Sequence, residues 1–153
     1  MRDKVFIAII KRGTEFLFQR REKDPYKGYL GLLGGKSEKG ESAEEALIRE
    51  IREESMLSVT ESKFLGIVTE TLYRKHVTTQ VELFIYTVKT RGTATSHPHE
   101  GEVVWIKREE LKDRKDEFIP TDWLIHTRVL SDQFKNFKLT VFEKENQFTV
   151  IAD

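Results

Sequence analysis

The chain has 153 residues, a usual length for one domain, and 38% of them are hydrophobic, which is enough to build a core. Lysine plus arginine equals aspartate plus glutamate at 26 each, so a net charge of zero gives no general attraction to nucleic acid or membrane surfaces. The absence of cysteine excludes disulfides, a thiolate nucleophile and a thiolate metal site. With no signal-type leader and no apolar run near the ~20 residues of a membrane span, we expect a single domain over residues 1–153 in a cytoplasmic protein.

The chain begins with a predicted β-hairpin. Residues 5–10 and 15–20 are rich in β-branched and aromatic side chains, and the connection between them contains Gly13. Arg20 and Arg21 follow at the end of the second strand. Because a guanidinium pairs bidentately with phosphate oxygens, both arginines are candidate phosphate-binding residues, with a solvated strand end as the alternative.

A loop and then a helix are predicted next. Residues 24–34 contain one proline and three glycines, which is typical of a loop. Ser42 and Glu45 have the spacing of a capping box, in which each side chain binds the backbone amide of the other residue. Apolar residues such as Leu47 and Ile51 recur at helical intervals, so we expect an amphipathic helix after Ser42.

Three carboxylates lie on one side of this helix. Glu50, Glu53 and Glu54 are spaced three and four residues apart, and like charges at this spacing destabilise a bare helix. A hard divalent cation removes that conflict, because carboxylate oxygens are its preferred ligands. A solvated acidic face is the alternative, but the Gly34-Gly35 loop just upstream and the apolar stripe favour a metal site.

Residues 35–57 resemble the Nudix box, G-x5-E-x7-R-E-U-x-E-E-x-G-U, in which U is a bulky aliphatic residue. The matching residues are Gly35, Glu41, Arg49, Glu50, Ile51, Glu53, Glu54 and Leu57. Met56 departs from the pattern, whose glycine would supply a left-handed helix end that costs another residue roughly 1 kcal/mol. The resemblance implies an α/β protein, a Nudix-type α/β/α sandwich with a mixed β-sheet.

The same resemblance implies hydrolysis of a phosphoanhydride in a nucleoside diphosphate joined to a further group, with Mg²⁺ as cofactor and Mn²⁺ as an alternative. The implied metal ligands are the Gly35 carbonyl, Glu50, Glu53 and Glu54. The implied catalytic residues of the box are Arg49, Glu50 and Glu53. Arg49 would orient the carboxylates, and Glu41 would be its structural partner.

The remaining elements are predicted in order along the chain. Strands are expected over residues 63–72, 81–88 and 103–106, a polar helical turn over 107–115, a helix over 120–130, and a final hairpin over 137–142 and 148–151. The residues expected on one side of the last helix are Trp123, Leu124, Thr127 and Leu130. Together these strands and helices suggest a mixed sheet between helical layers.

By resemblance, a further acid reaches the site from a loop outside the box. Glu100 and Glu102 precede the strand over 103–106, and Glu100 matches the usual placement better, so we add it to the catalytic residues. A solvated loop glutamate is the alternative. His97 and His99 lie in the same loop, and without cysteine we interpret them as loop residues and not as a zinc site.

The segment 118–123, Phe-Ile-Pro-Thr-Asp-Trp, with its following helix and hairpin, resembles the tail of the 8-oxo-dGTP diphosphatase branch of the Nudix family. In that branch two acids of the turn read the purine edge. Asp122 matches the second acid and is a candidate substrate-binding residue, whereas Thr121 replaces the first. Gly31 also replaces an asparagine that contacts the base in some members. Asp122 as a simple helix cap is the local alternative.

The resemblance therefore implies a purine (d)NTP, oxidised or not, that is converted to (d)NMP and pyrophosphate. A nucleotide is the expected partner, and neither a membrane nor a nucleic-acid duplex is expected. Two alternatives stay open. The chain would hydrolyse another nucleotide (ADP-ribose, a dinucleoside polyphosphate or an RNA 5′ end), or it would bind nucleotides without hydrolysis.

Overall fold

A mixed β-sheet with an α-helix on each face makes up most of the computed structural model, which describes residues 3–132 and 134–153. Within these residues the strands are β1 (Asp3–Arg12), β2 (Glu15–Arg20), β3 (Leu30–Gly31), β4 (Leu33–Lys36), β5 (Ser58–Tyr73), β6 (Thr78–Arg91), β7 (Val103–Lys107), β8 (Phe137–Lys144) and β9 (Gln147–Ala152). The helices are α1 (Ala43–Ser55) and α2 (Pro120–Leu130), and the short 3₁₀ turns Arg108–Glu110 and Lys112–Glu117 connect β7 to α2.

The strand order in the sheet is β3-β2-β1-β6-β5-β8-β9, with β4 paired to β1 and β7 paired to β2. The pairs β1–β6 and β5–β8 are parallel and the others are antiparallel. The predicted N-terminal hairpin is confirmed, but its register covers only Lys11–Phe16 and Arg12–Glu15. Beyond these pairs β1 continues against β4 and β6 while β2 continues against β3 and β7, so the two strands diverge.

The core lies on both faces of the sheet because successive residues of a strand point to opposite sides. On β1, Phe6 and Ala8 pack in the cluster that contains Leu47 of α1. Ile9 packs in the other cluster, which contains Ile125 of α2. The predicted layers of helix, mixed sheet and helix are therefore confirmed. No helix of the described residues has the length and apolar character needed to cross a membrane.

Helix α1 forms as its sequence predicts. Ser42 Oγ accepts a hydrogen bond from the Glu45 amide at 3.1 Å, and the Glu45 carboxylate accepts one from the Ser42 amide at 3.4 Å. The helix ends at Met56, which adopts the left-handed conformation with φ of 65°. Met56 therefore adopts the left-handed backbone conformation that the glycine of the Nudix box would supply. This conformation destabilises a residue other than glycine.

Two predictions about the elements are wrong in part. The loop predicted over residues 24–34 already contains β3 and the start of β4, because the buried Leu30 and Leu33 pair with β2 and β1. Strands β5 and β6 extend well beyond the predicted 63–72 and 81–88, because they pair with each other over nearly their whole length. In both cases pairing partners distant in sequence override weak local signals.

The most deeply buried residues of α2 are not the four that were predicted to share one side. They are Thr121, Ile125 and His126, whereas Trp123 and Leu124 are partly exposed at the margin of the core. His126 is only 2% exposed, and its ring lies edge-on to Phe16 and Phe18, with centroids 4.7 and 5.1 Å away. Trp123, Leu124 and Leu130 of the predicted side do pack against the core, whereas His126 was not predicted because a histidine does not count as apolar in a hydrophobic pattern.

Acid should destabilise the protein through His126. Burial lowers the pKa of His126 from 6.5 to about 4, with a smaller contribution from the positive charge of Arg108. The unfolded chain therefore binds a proton between these values while the folded protein does not. We expect this residue to lower the free energy of unfolding as pH falls from about 6.5 to 4, by up to about 3 kcal/mol.

The test compares urea unfolding of the wild type and the His126→Leu variant at pH 7.0, 5.5 and 4.5. The difference between the two proteins isolates the histidine from carboxyl groups that titrate in the same range. We expect the variant to gain stability relative to the wild type as the pH falls. A difference that does not change with pH would contradict a neutral, buried imidazole.

Candidate active site

The glycine loop at β4 lies directly against the middle of α1. The Gly34 amide donates a hydrogen bond to Glu54 Oε1 at 3.0 Å. A Cβ atom added to Gly35 would lie 2.5 Å from the carboxyl carbon of Glu50, so a larger residue there would displace this carboxylate. The fold thus brings together Gly35, Glu50 and Glu54, which the sequence analysis selected as metal ligands.

Arg49 is the centre of an ion-pair network on the same helix. Its Nε and Nη2 atoms donate to the two carboxylate oxygens of Glu41 at 2.7 and 3.0 Å. Its Nη1 atom donates to Glu50 Oε1 at 2.9 Å and to Glu53 Oε2 at 3.1 Å. The hydrogen bond from Arg49 is the main cause that lowers the pKa of Glu41. Arg49 is therefore held by Glu41 in a position where it fixes two carboxylates of the box.

Negative charge is concentrated next to this network. Glu54 is only 6% exposed, and burial raises the pKa of its carboxyl well above the usual range, with further contributions from Glu50 and Glu100. Burial also raises the pKa of Glu50, against the opposing hydrogen bond from Arg49. Carboxylates that share a partly desolvated site resist ionisation together, and a divalent cation would remove this conflict.

The carboxylates only partly assemble into a metal site. Among the described residues, no three acidic or histidine side chains form a cluster ready to enclose one ion. Glu53, which the resemblance implies as a ligand, has a side chain that is 49% exposed and pairs with Arg49. The donors nevertheless fit a hard cation such as Mg²⁺ or Mn²⁺, because they are carboxylate oxygens, which such cations prefer as ligands.

The loop before β7 brings Glu100 to these carboxylates. The Gln19 side-chain amide donates to the Glu100 carbonyl, and the Glu100 amide donates to the carbonyl of His97 at 3.1 Å. Glu100 lines a cavity of about 190 Å³ together with Glu54 and His99. Glu102 is placed differently, since it is not part of that lining and its carbonyl accepts the Arg20 amide at 2.8 Å.

The two candidate arginines at the end of β2 also lie in different surroundings. Arg21 lines the same cavity as Glu54 and Glu100, and its Nε atom donates to the carbonyl of Pro25 at 2.8 Å. Arg20 is not part of that lining. Its guanidinium donates to the carbonyl of Gly28 at 2.8 Å and pairs with Glu117 at 3.3 Å. The structure therefore brings Arg21, and not Arg20, to the carboxylates.

Asp122 meets the loop that precedes β4. Its Oδ2 atom accepts a hydrogen bond from the Leu32 amide at 2.8 Å, and a Cβ atom on Gly31 would lie 2.8 Å from the same oxygen. An asparagine at position 31 would therefore collide with Asp122. Helix α2 has Ile119 at its N-cap position and no side-chain cap hydrogen bond, so the interpretation of Asp122 as a cap is wrong.

A second acid near Asp122 was missed by the sequence analysis. Burial raises the pKa of Glu70 to about 7, with a contribution from Asp122, and burial raises that of Asp122 to about 6. The Tyr26 hydroxyl is buried nearby without a hydrogen-bond partner among the described residues. The available signal was the alternation in β5, where Glu70 occupies an inward position between Val68 and Leu72.

Comparison with known proteins shows the family. The model of the NUDIX domain matches residues 1–126 of the chain. An ADP-ribose pyrophosphatase of Methanocaldococcus jannaschii is 41% identical over 60 residues, which are 39% of this chain and 36% of that protein. An 8-oxo-dGTP diphosphatase of Proteus vulgaris is 35% identical over 68 residues, which are 44% of this chain and 61% of that protein. The chain thus matches between about a third and three fifths of the length of these two relatives.

Solved structures agree on the fold. A mutator MutT protein of Bacillus halodurans superimposes with a TM-score of 0.78 at 22% identity, over 99% of this chain and 97% of that one. A MutT NUDIX hydrolase of Burkholderia pseudomallei gives a TM-score of 0.70 at 22% identity, over 88% and 99% of the two chains. The family itself is shown by the NUDIX model, whose match over residues 1–126 contains the glycine loop, the Arg49 network and the carboxylates of α1. The chain belongs to the Nudix hydrolase family.

Proposed function

We propose that this Nudix hydrolase converts a purine nucleoside triphosphate, oxidised or not, to the monophosphate and pyrophosphate. The observation that carries the proposal is the convergence of Glu50, Glu54 and Glu100 beside Arg21. The Asp122 carboxyl, in the first turn of α2, is bound to the neighbouring loop through the Leu32 amide. The name of the Proteus vulgaris relative, an 8-oxo-dGTP diphosphatase, supports the substrate class.

Phosphoanhydride hydrolysis requires positioning and charge neutralisation more than covalent help from the protein. Glu50, Glu53, Glu54 and the Gly35 carbonyl would hold Mg²⁺ or Mn²⁺. When bound, the cation would neutralise phosphate charge and lower the pKa of water. Arg49 keeps the carboxylates of Glu50 and Glu53 in place, as its hydrogen bonds of 2.9 and 3.1 Å indicate.

The cavity residues supply the remaining functions. Arg21 would bind phosphate oxygens through its guanidinium, which has donors beyond the one used on Pro25. We propose Glu53 and Glu100 as the groups that accept a proton from the attacking water. In addition to burial, the negative charges of both residues raise the pKa of Glu50, and both side chains are exposed.

Asp122 should select the base. A carboxyl group there would meet the ring N–H and amino donors of a guanine-type edge, and leaving such donors unpaired costs about 1 to 3 kcal/mol. We therefore expect Asp122→Ala to lower kcat/KM for 8-oxo-dGTP and dGTP roughly 10- to 100-fold more than for dCTP and dTTP. The control is Asp113→Ala, which removes an exposed acid from the nearby 3₁₀ turn. An equal loss on all four nucleotides would contradict base recognition.

Glu100 should matter more than Glu102. Only the Glu100 side chain faces the box carboxylates, so we expect Glu100→Ala to lower kcat at least tenfold and Glu102→Ala to change it less than twofold. The pH dependence of kcat distinguishes a catalytic role from a packing defect, because a lost proton acceptor changes its shape. Identical profiles close to that of the wild type for both variants would refute the role of Glu100.

A panel assay tests the proposed function as a whole. Release of pyrophosphate or phosphate is measured for 8-oxo-dGTP, the (d)NTPs, ADP-ribose, a dinucleoside polyphosphate and a 5′-capped RNA, with Mg²⁺ and with excess EDTA. We expect the purine triphosphates to be the best substrates and EDTA to abolish the reaction. ADP-ribose as the best substrate would favour the activity named for the Methanocaldococcus jannaschii relative. Nucleotide binding without hydrolysis of any compound would instead indicate a binding module.

A further inference from the structure

A larger cavity lies far from the carboxylates, at the point where β1 and β2 diverge. It has a volume of about 900 Å³, within the range of sites that hold nucleotide-sized ligands. Phe16, at the start of β2, is in its lining, whereas Arg21 at the other end of the strand lines the catalytic cavity. Five residues of extended chain separate the two by about 16 Å. We refer to this cavity as the hairpin cavity.

The rim of the hairpin cavity is strongly basic. Its cationic residues are Lys11, Lys63, Lys89 and Arg108, against the two acids Glu61 and Asp132. Lys89 pairs with Glu61 at 3.3 Å. Among the described residues, Lys11, Lys63 and Arg108 form no ion pair with a carboxylate. The lining therefore has an excess of two positive charges, because only Asp132 remains to offset Lys11, Lys63 and Arg108.

Strand register explains why these cations converge. Ile9 of β1 is opposite Thr87 of β6, and Thr87 is opposite Lys63 of β5, so all three side chains point to the same face of the sheet. Lys11 lies two residues after Ile9 and shares that face. The pairing of three strands therefore fixes the face of the sheet from which Lys11 and Lys63 project.

The opposite wall completes the site. Arg108 is anchored by its backbone amide, which donates to the carbonyl of Thr14 at 2.9 Å. Its charge also acts on His126, whose ring packs against Phe16. Val129 and Leu130, at the end of α2, supply a partly buried apolar surface beside these groups. The cavity therefore combines an apolar wall with a cationic rim.

We propose that the hairpin cavity binds a phosphorylated small molecule of nucleotide type, at a site separate from the catalytic carboxylates. Phosphate oxygens would neutralise Lys11, Lys63 and Arg108, and a ring system would lie against Val129 and Leu130. The catalytic cavity has a different balance of charge, because its lining contains the acids Glu22, Glu54 and Glu100 beside Arg21 and Lys23. Without a divalent cation, we therefore expect a nucleotide to bind the hairpin cavity in preference to the catalytic cavity.

The experiment measures binding of a fluorescent ADP analogue to the full chain in excess EDTA by fluorescence anisotropy, with ADP and pyrophosphate as competitors. The test variant is Lys11→Gln/Lys63→Gln/Arg108→Gln. The control is Lys75→Gln/Lys138→Gln/Lys144→Gln, which removes the same charge from exposed lysines elsewhere. A single charge reversal, Lys63→Glu, gives a second test in an exposed residue that carries little risk to folding.

We expect the test variant to weaken ADP binding at least tenfold and Lys63→Glu to weaken it several-fold. The control triple and Arg21→Gln should bind like the wild type, and hydrolysis with Mg²⁺ should continue in the test variant. Equal weakening in the control triple would show general charge attraction and overturn the proposal. So would loss of binding with Arg21→Gln alone, absence of binding at millimolar ADP, or stronger competition by a short RNA without a 5′ phosphate than by ADP.

Discussion

The Glu53→Gln variant is expected to lose roughly 10²- to 10⁴-fold in kcat and to unfold at the same urea concentration as the wild type. Glu53 is half exposed, and Arg49 is its ion-pair partner at 3.1 Å, so an amide of the same shape costs the fold little. The reaction, in contrast, loses a negative charge from the site proposed to hold the metal. It also loses one of the two groups proposed to accept a proton.

The matched control for this variant is Glu44→Gln. Glu44 is an exposed glutamate in the first turn of the same helix, away from the carboxylate cluster. Steady-state kinetics at saturating Mg²⁺ and a metal titration separate the proton-accepting role from the ligand role. Activity of Glu53→Gln within threefold of the control would contradict both roles.

The Arg49→Ala variant is expected to lose both activity and stability. Removal of the guanidinium leaves Glu41 and Glu50, whose side chains are 17% and 18% exposed, without their cationic partner. We expect the free energy of unfolding to fall by about 1 to 3 kcal/mol. Misoriented carboxylates should lower kcat about 10- to 100-fold, which is typical when a group that orients metal ligands is lost.

The Arg49→Lys variant separates these two effects. An ammonium group restores the positive charge but cannot donate to Glu41, Glu50 and Glu53 in the fixed geometry of a guanidinium. We expect most of the stability to return while kcat and the apparent affinity for Mg²⁺ stay low. Full recovery of activity by lysine would show that Arg49 provides only charge and does not position the carboxylates.

The sequence by itself determined the local interactions of the site. The capping box of Ser42 and Glu45, the end of α1 at Met56 and the placement of Glu50 and Glu54 on one side involve residues within four positions of each other. Helical geometry fixes such relations wherever the helix lies in the fold. The family resemblance follows from the same stretch, because the Nudix box is contained within 23 residues.

Choices between neighbouring residues required the tertiary structure. Arg20 and Arg21 are adjacent in sequence, yet Arg20 pairs with Glu117 while Arg21 lines the cavity that contains Glu54 and Glu100. Glu100 and Glu102 also differ in position, since only Glu100 lines that cavity. The hydrogen bond from the Gln19 side chain to the Glu100 carbonyl fixes the loop there. In an extended segment, the path of the backbone decides which side chain faces the site, and that path depends on partners far away in sequence.

The environment of Asp122 was also decided only by the tertiary structure. Its carboxyl accepts the Leu32 amide from 90 positions away and occupies the space that a side chain on Gly31 would need. The neighbouring Glu70 comes from a third element, β5, and no local pattern connects these residues. Their protonation depends on how much water the packed elements exclude, because burial is the main cause that raises both pKa values. Sequence spacing determines which groups a single element presents, whereas desolvation arises only when separate elements pack together.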